Sequence, residues 1–266
     1  EQATLDAVEA VRVQLGLDQP IHIQYLKYVG GLLQGDLGMS LRTKRPVLTE
    51  VAARYGNTMA LTFASLVWST VVGVILGVWS GKNRGKWQDF TGMTLAVSGI
   101  SLPNFWIGFL LIMAFSVKLR WFPTTGVGSW KNLVLPAIAL GTSIAAIIAR
   151  FTRSSIVEVL KEDYIRTARA KGLKEKTVTW GHAFRNSMIS VVTVVGLQFG
   201  FLLGGSVVTE AVFAYPGLGQ LLVESVNYRD YPAIQSLILI FSLQFIIINL
   251  SVDILYAILN PEIKLS

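Results

Sequence analysis

Charged residues are absent from five long runs of this chain and are concentrated between them. Residues 58–80, 90–117, 132–149, 186–209 and 231–252 contain no Asp, Glu, Lys or Arg. The runs are 23, 28, 18, 24 and 22 residues long and consist mainly of aliphatic residues, Gly and Phe. A single water-soluble core does not segregate its charges in this way. The pattern therefore excludes a soluble enzyme.

Runs of this length match the thickness of a lipid bilayer. About 20 helical residues, at about 1.5 Å each, cross a hydrocarbon core of about 30 Å. Within that core every backbone N–H and C=O must be paired inside the segment, so the runs are predicted to be helices. The second run contains Pro103, which lacks a backbone donor, and we expect a kink or a break there. The alternative, buried helices of a large soluble bundle, fits the charge pattern poorly.

The overall composition points the same way. Hydrophobic residues make up 52% of the 266 residues and charged residues 15%, against about 25% charged residues in a soluble domain. The mean hydropathy is +0.54. The net charge is +7, from 23 Lys or Arg and 16 Asp or Glu. We interpret this charge as a signal of membrane orientation and of contact with anionic lipids, not of nucleic-acid binding.

Lys and Arg are distributed unevenly between the runs. The segment 81–89 has three in nine residues and 150–185 has nine in thirty-six. By contrast, 118–131 and 210–230 together have four. Basic loops of membrane proteins face the cytoplasm. We therefore predict that 81–89, 150–185 and the C-terminus are cytoplasmic.

Five spans with a cytoplasmic C-terminus place residue 1 outside. The N-terminal segment holds no apolar run that could carry it across a membrane, so we expect a further helix before it, as a sixth span or a cleaved signal. The predicted organisation is an extracytoplasmic region 1–57, a transmembrane domain 58–260 with a cytoplasmic loop 150–187, and a cytoplasmic tail 261–266.

No pattern of reactive residues indicates catalysis. The string from Gly77 to Asn83 has the wrong spacing for a phosphate-binding loop and no Ser or Thr after its Lys. His22 and His182 are far apart and form no metal-ligand pattern. Neither a nucleophile elbow nor a paired-carboxylate site can be placed. We therefore expect no catalytic site, metal or cofactor on this chain.

The long basic loop contains one short helical pattern. Asp163 is placed to cap its start, and Gly172 is placed to end it in the left-handed conformation. Tyr164, Ala168 and Lys171 follow i, i+4, i+7 spacing and are predicted to share one face. Because so short a helix is not stable alone, we interpret it either as a solvated loop helix or as a segment that enters a partner's groove.

The same loop carries a recognisable string, Arg-Thr-Ala-Arg-Ala-Lys-Gly, followed ten residues later by His-Ala-Phe-Arg-Asn. It resembles the cytoplasmic coupling loop of ABC-importer permeases, above all the branch that imports peptides, glutathione and nickel. The family's general pattern is Glu-Ala-Ala, three residues, Gly, nine residues and Ile-x-Leu-Pro. Here Arg166 stands at the Glu position and Thr167 at the first Ala position, and residues 182–185 (His-Ala-Phe-Arg) replace Ile-x-Leu-Pro. These departures look like the branch's own version of the pattern. The resemblance assigns coupling to ATPases to Tyr164, Arg166, Thr167, Ala168, Arg169, Ala170, Lys171, Gly172, His182 and Arg185.

Other segments extend the resemblance to nearly the whole chain. Residues 14–20 and 35–40 resemble the region after the first span in that branch. Residues 212–219 and 229–232 resemble its last extracytoplasmic loop, and 249–261 its final span. The resemblance implies an all-α polytopic membrane protein with the six spans of a type I ABC-importer transmembrane domain.

The function implied by the resemblance is that of a permease subunit in an ATP-driven importer of the bacterial inner membrane. Its implied partners are a second homologous permease, two ATPase subunits that bind ATP and Mg, an extracytoplasmic substrate-binding protein and the lipid bilayer. We expect peptide-type cargo (a dipeptide, an oligopeptide or glutathione), with nickel or a metal chelate as the alternative. A secondary transporter would be expected to show internal repeats, and a membrane-bound enzyme would need a reactive cluster.

The implied mechanism makes the short loop helix a rigid link between the permease and an ATPase. We therefore expect Gly172→Pro or Ala168→Trp to uncouple ATP hydrolysis from uptake while the chain still folds.

Polar side chains within the predicted spans are candidates for the translocation pathway. Asn104 follows Pro103 and either faces a cavity or caps the helix break. Gln198 lies near the middle of the fourth run and is a second candidate. Gln244, in the fifth run, is expected to bridge to a neighbouring helix.

Two acidic residues complete the candidates. Glu210 lies at the outer end of the fourth run, where it would guide substrate, contact the binding protein or, as we favour, reach the surface as a solvated side chain. Asp253 lies four residues after Asn249 on the same helical face. It must find a partner or face an aqueous cavity, and of the two we favour a structural pairing.

Overall fold

The computed structural model describes residues 18–259 together with residues 9, 12, 13 and 16. Apart from one bridge between Met39 and Pro46, the regular structure of these residues is helical. The helices are α1 (Ile21–Leu33), α2 (Val47–Lys82), α3 (Trp87–Ser101), α4 (Asn104–Leu111, continued by a π-helix, Ile112–Lys118), α5 (Trp130–Val159), α6 (Asp163–Ala170), α7 (Phe184–Val212), α8 (Leu218–Asn227) and α9 (Tyr231–Leu259). A single turn (Glu175–Thr177) and a π-helix (Val178–Ala183) connect α6 to α7.

The five predicted spans correspond to helices of the structure. Four helices within the described residues (α2, α5, α7 and α9) are long and apolar enough to cross a bilayer. The fifth run corresponds to α3 and α4, which pass the same test together but are bent by 103°. The chain is therefore an all-helical, multi-pass membrane protein, with five spans if the bent pair counts as one.

The bend between α3 and α4 lies where the sequence places Pro103. Leu102 and Pro103 have extended backbones, with ψ of 130° and 136°, and so interrupt the helical hydrogen bonds. Pro103 has no N–H to donate to the preceding turn, and it disfavours a helical conformation of Leu102. The predicted break is confirmed.

Helices α2 and α5 pack closely through small residues. Ser69, Gly73, Gly77 and Gly81 recur every four residues on the buried side of α2. A Cβ atom added to Gly77 would lie 2.6 Å from the carbonyl oxygen of Ala149 on α5. Such close approach of helix backbones is the usual role of small residues at four-residue spacing in membranes.

Helix α5 is the centre of the bundle. Leu135, Leu140, Ile144 and Ile148 are buried along its length, in a cluster that also contains Leu61 of α2. An ion pair joins the start of α3 to α5, with Arg153 Nη2 2.7 Å from Asp89 Oδ2. Helix α5 thus leads from the membrane core to α6, which follows it after a short turn.

Several helices extend beyond the charge-free runs. Helix α2 begins at Val47, within the segment predicted as extracytoplasmic, and α5 continues to Val159 inside the segment predicted as a loop. Glu50 and Arg54 are charged, so the start of α2 is not part of the charge-free run, but both residues are compatible with a helix. The charge-free runs therefore mark the part of each helix suited to the bilayer, and not its ends.

Some predictions lie outside the described residues. These are the tail 261–266, most of residues 1–17, and Pro261 in the string that resembles a final span.

Candidate functional site

Helix α6 ends as the sequence predicts. Gly172 has φ +78°, in the left-handed region. Its N–H donates to the Arg169 carbonyl at 2.9 Å, and the Leu173 N–H donates to the Ala168 carbonyl at 3.3 Å. This pair of bonds is a Schellman motif, which satisfies carbonyls that a helix end otherwise leaves free. The backbone at the end of α6 is therefore held in one conformation.

The start of α6 differs from the prediction. The residue before the helix is Glu162, with extended backbone, and Asp163 is already helical. Asp163 accepts no capping hydrogen bond and instead pairs with Arg166 at 3.1 Å. A carboxylate in the first turn still interacts favourably with the helix dipole.

The inner face of α6 corrects the predicted arrangement. Ile165 and Ala168 are the buried residues of this helix, and they pack with Val178 and Ala183 of the following π-helix. Ala168 is only 7% exposed, whereas Tyr164 is exposed. The prediction that the two residues share one outward face is therefore wrong. The spacing did not reveal this, because Ile165 is buried by a segment that folds back from further along the chain. Ala168→Trp would therefore disturb the packing of the loop itself, and it is not the clean uncoupling variant expected from the sequence.

The outer face of α6 is exposed and basic. Arg169 bonds Glu175 at 2.7 Å, and this hydrogen bond is the main cause that lowers the pKa of the Glu175 carboxyl. The other residues of the predicted coupling set on this helix are also exposed: Tyr164, Arg166, Thr167, Ala170 and Lys171. This surface can bind in an acidic or polar groove of another protein.

A hydrogen bond connects α6 to the start of α7. The Asn186 side-chain amide donates to the Tyr164 hydroxyl oxygen at 2.6 Å. The two remaining members of the predicted set are His182, half-buried in the π-helix, and Arg185, exposed in the first turn of α7. The structure thus brings all ten predicted coupling residues into one packed region at one end of the bundle.

At the opposite end, Glu210 is buried and not a surface residue. Its carboxylate accepts hydrogen bonds from the Thr58 hydroxyl at 2.8 Å and from the N–H groups of Gly219 and Gln220 at 2.7 and 3.1 Å. Those N–H groups belong to the first turn of α8, where a carboxylate is favoured by free donors and by the helix dipole. The expectation of a solvated Glu210 is therefore wrong.

Gly217 is required beside this carboxylate, because a Cβ atom there would overlap the Glu210 side chain. Asn57 adds a further bond from its amide to the Pro216 carbonyl at 2.7 Å. Residues 216–219, within the segment 212–219 that resembles a family loop, thus fit against α2 and α7.

A second buried carboxylate, Asp230, was not among the candidate residues. It accepts hydrogen bonds from the Ser40 hydroxyl and from the backbone N–H groups of Leu41 and Arg42. Burial raises the pKa of Asp230, but these bonds and one from the Ala233 N–H outweigh it and leave the pKa below its usual value. Asp230 therefore attaches the segment before α2 to the start of α9.

The pathway candidates do not form one cluster. Asn104 accepts a hydrogen bond from Ser143 of α5 at 3.2 Å. Gln198 is half-buried on α7, and Asp253 is exposed on α9. Among the described residues no hydrogen bond links any of Asn104, Gln198, Glu210 and Asp253 to another of them.

The polar residues of α9 have different roles. Gln244 is buried, with its amide nitrogen 3.8 Å from the Met59 sulfur of α2, and so bridges two helices as predicted. Asn249 donates to the Phe245 carbonyl of its own helix at 2.9 Å, and no described hydrogen bond joins it to Asp253. Within the ranges that the structure covers, no three His, Asp or Glu side chains converge where a metal ion could be held.

Sequence comparisons give clear relatives. A family model described as "Binding-protein-dependent transport system inner membrane component" matches residues 73–265. Glutathione transport system permease proteins GsiC of Salmonella paratyphi A and of Escherichia coli (strain K12) are each 54% identical to this chain over 263 residues. Each alignment covers 99% of this chain and 86% of the relative.

Solved structures share the fold. The MetNI methionine ABC transporter in an inward-facing conformation matches with a TM-score of 0.69 at 19% identity, over 80% of this chain and 97% of that chain. An amino acid ABC transporter with histidines matches with a TM-score of 0.61 at 13% identity, over 86% of this chain and 97% of that chain. These likenesses identify the architecture as that of ABC-importer transmembrane subunits.

Proposed function

The chain belongs to the family of binding-protein-dependent transport system inner membrane components, and from this premise we propose that it carries glutathione or a similar short peptide across the inner membrane. It is a permease subunit of an ABC importer, and thus a transport component and not an enzyme. Its family implies a substrate-binding protein and ATPase subunits as partners.

The observation that carries the cargo proposal is the identity of 54% over 263 residues to permeases named for glutathione transport. The alignment includes the spans as well as the loops, since it covers 99% of this chain. The surfaces that a permeating peptide would meet belong to these same segments. Peptide-type cargo is therefore favoured over nickel or a metal chelate.

In the proposed assembly this chain pairs with a second homologous permease, above which the binding protein delivers substrate. Two ATPase subunits, which hold ATP and Mg, lie on the cytoplasmic side. The segments 81–89 and 150–185 carry most of the loop Lys and Arg residues and so face the cytoplasm. The C-terminus lies on the same side, and the Glu210 cluster lies on the opposite, extracytoplasmic side.

Coupling is proposed to occur through the outer face of α6. The helix is fixed on its inner side by Ile165 and Ala168, at its end by Gly172, and to α7 by the bond between Asn186 and Tyr164. A helix held at three places moves with the spans it is attached to. Closure of the ATPases would then move the permease pair as rigid bodies between inward- and outward-facing states.

Three polar residues are proposed for the translocation pathway: Asn104, Gln198 and Asp253. Each lies in a helix suited to the bilayer and keeps part of its side chain accessible within this chain. Polar groups at such positions are costly unless they face an aqueous cavity or a partner. Glu210 is excluded from this set because its carboxylate is fully used within the chain.

Uptake by the assembled importer in proteoliposomes tests the proposal. The complex, with its binding protein outside and ATP inside, should accumulate radiolabelled glutathione, and an ATPase-inactive partner subunit should abolish accumulation. Uptake of nickel without glutathione would contradict the cargo. Purification of this chain without any ATPase subunit would contradict the importer itself.

A further inference from the structure

A cavity of about 590 Å³ lies between the start of α3 and the end of α5. One part of its lining is apolar, from Phe90, Met93 and Val97 on one face of α3. The other part is charged, from Lys86, Asp89 and Arg153. We propose that this groove binds an anionic phospholipid, with the acyl chain along α3 and the phosphate at the basic end.

The apolar part of the lining extends along the axis of α3, as the binding site of an acyl chain would. Phe90 and Val97 are seven residues apart, so their positions along the helix axis differ by about 10 Å. Both are exposed in the structure, by 75% and 55% respectively. This exposed apolar groove follows α3, the first helix of the bent pair that passes the membrane-span test, and so presents its length to the hydrocarbon of the bilayer.

The basic part has more positive charge than the chain itself neutralises. Asp89 is paired with Arg153 through two hydrogen bonds and accepts a third from the Gly85 N–H. Lys86 remains at the cavity without an ion pair among the described residues. A second cavity shares Arg153 and is lined by Arg84, Lys161 and one acidic residue, Glu158. The two linings together hold four cations and two carboxylates, which favours an anion.

Two tryptophans place this end of the groove at the depth of lipid head groups. Trp87, next to Lys86, is 68% exposed and meets Trp79 edge to face, with 6.0 Å between ring centroids. Exposed Trp is enriched where the hydrocarbon meets water. The excess of basic residues, the length of the apolar lining and the position of the tryptophans therefore all favour an anionic phospholipid as the occupant.

Native mass spectrometry of the purified importer complex tests this inference. The probes are palmitoyl-oleoyl phosphatidylglycerol and phosphatidylcholine, which differ in head-group charge. The test variant is Arg84→Gln with Lys86→Gln, two exposed positions whose change leaves the Asp89–Arg153 pair intact. The matched control is Lys118→Gln with Lys131→Gln, which removes the same charge from exposed positions near the other end of the bundle.

The wild-type complex should bind phosphatidylglycerol more tightly than phosphatidylcholine. The test variant should bind phosphatidylglycerol about 10- to 30-fold more weakly, since each basic residue near a membrane surface adds about a factor of five. The control variant should bind as the wild type does. Equal binding by wild type and test variant, an equal loss in the control, or no preference for the anionic lipid would each overturn the inference. None of these outcomes depends on which cargo the importer carries.

Discussion

The Thr58 hydroxyl donates to a carboxylate oxygen of Glu210 at 2.8 Å and accepts from the Leu218 N–H at the same distance. One hydroxyl thus joins α2, the end of α7 and the start of α8. All three groups are buried, so no water replaces a bond that is lost. This cluster fixes the segment between α7 and α8 to the membrane core.

Replacing Thr58 by Val should therefore destabilise the protein. The variant keeps the shape of the side chain but removes one hydrogen bond from a buried carboxylate and leaves a buried N–H without a partner, at a cost of about 1–3 kcal/mol. The measurement is the thermal unfolding midpoint of the purified protein in mild detergent. Thr167→Val, at an exposed threonine of α6, is the control and should unfold near the wild-type midpoint. An unchanged midpoint in Thr58→Val would show that the cluster contributes nothing.

Glycines on α2 should respond to substitution in opposite directions. Gly77→Ala places a methyl group 2.6 Å from a backbone oxygen of α5 that cannot move aside, and should destabilise by about 1–3 kcal/mol. Gly56→Ala lies on the same helix with nothing within 4 Å of the new Cβ, and should stabilise by about 1 kcal/mol because alanine favours helices. Unfolding midpoints of the two variants check this. A tolerated Gly77→Ala would contradict the close packing of α2 and α5.

Asp230 should make the stability of the folded protein depend on pH in the acidic range. Its pKa is lowered in the folded chain, so the stability it contributes is complete above the unfolded-state pKa of about 3.9 and is lost as the pH falls through the lower, folded pKa. The unfolding midpoint of the wild type should fall on acidification below about pH 4. In Asp230→Asn that part of the decline should be absent, and stability at neutral pH should already be lower. Parallel pH profiles for the two proteins would contradict this role.

Adjacent positions of α6 should separate coupling from folding. Thr167→Trp adds a large group to the exposed outer face and should leave the unfolding midpoint unchanged, while uptake per ATP hydrolysed falls. Ala168→Trp adds the same group to a site that is 7% exposed and should lower the midpoint through overpacking. Unfolding and coupled uptake, measured on both variants, check this. The reverse result would show that the inner and outer faces are assigned incorrectly.

Much of the membrane architecture follows from the sequence, because the bilayer imposes a simple rule. A segment that crosses hydrocarbon must exclude charge over about 20 residues, and five such runs correspond to helices here. The break at Pro103 follows equally directly, because the missing N–H is a local property. The ends of α2 and α5 do not follow, since a helix that continues into water need not avoid charge.

The buried contacts could not be predicted, because their partners are far apart in sequence. Glu210 and Thr58 are separated by 152 positions, and nothing near Glu210 indicates that a hydroxyl and two backbone donors will surround it. The inner face of α6 does not follow from residue spacing, for a related reason. Ile165 and Ala168 become the inner face only once the π-helix containing Val178 and Ala183 folds against them. Gly172, whose left-handed conformation is a local requirement, was predicted correctly.

The most direct test of the coupling proposal is photo-cross-linking from the outer face of α6 in the assembled importer. A photoreactive benzoyl-phenylalanine replaces Thr167 in one variant and the exposed Lys131, near the other end of the bundle, in the control. We expect a cross-link to an ATPase subunit from position 167 and none from position 131. A cross-link from position 167 only to lipid or to the second permease would contradict the assignment of α6 as the coupling helix.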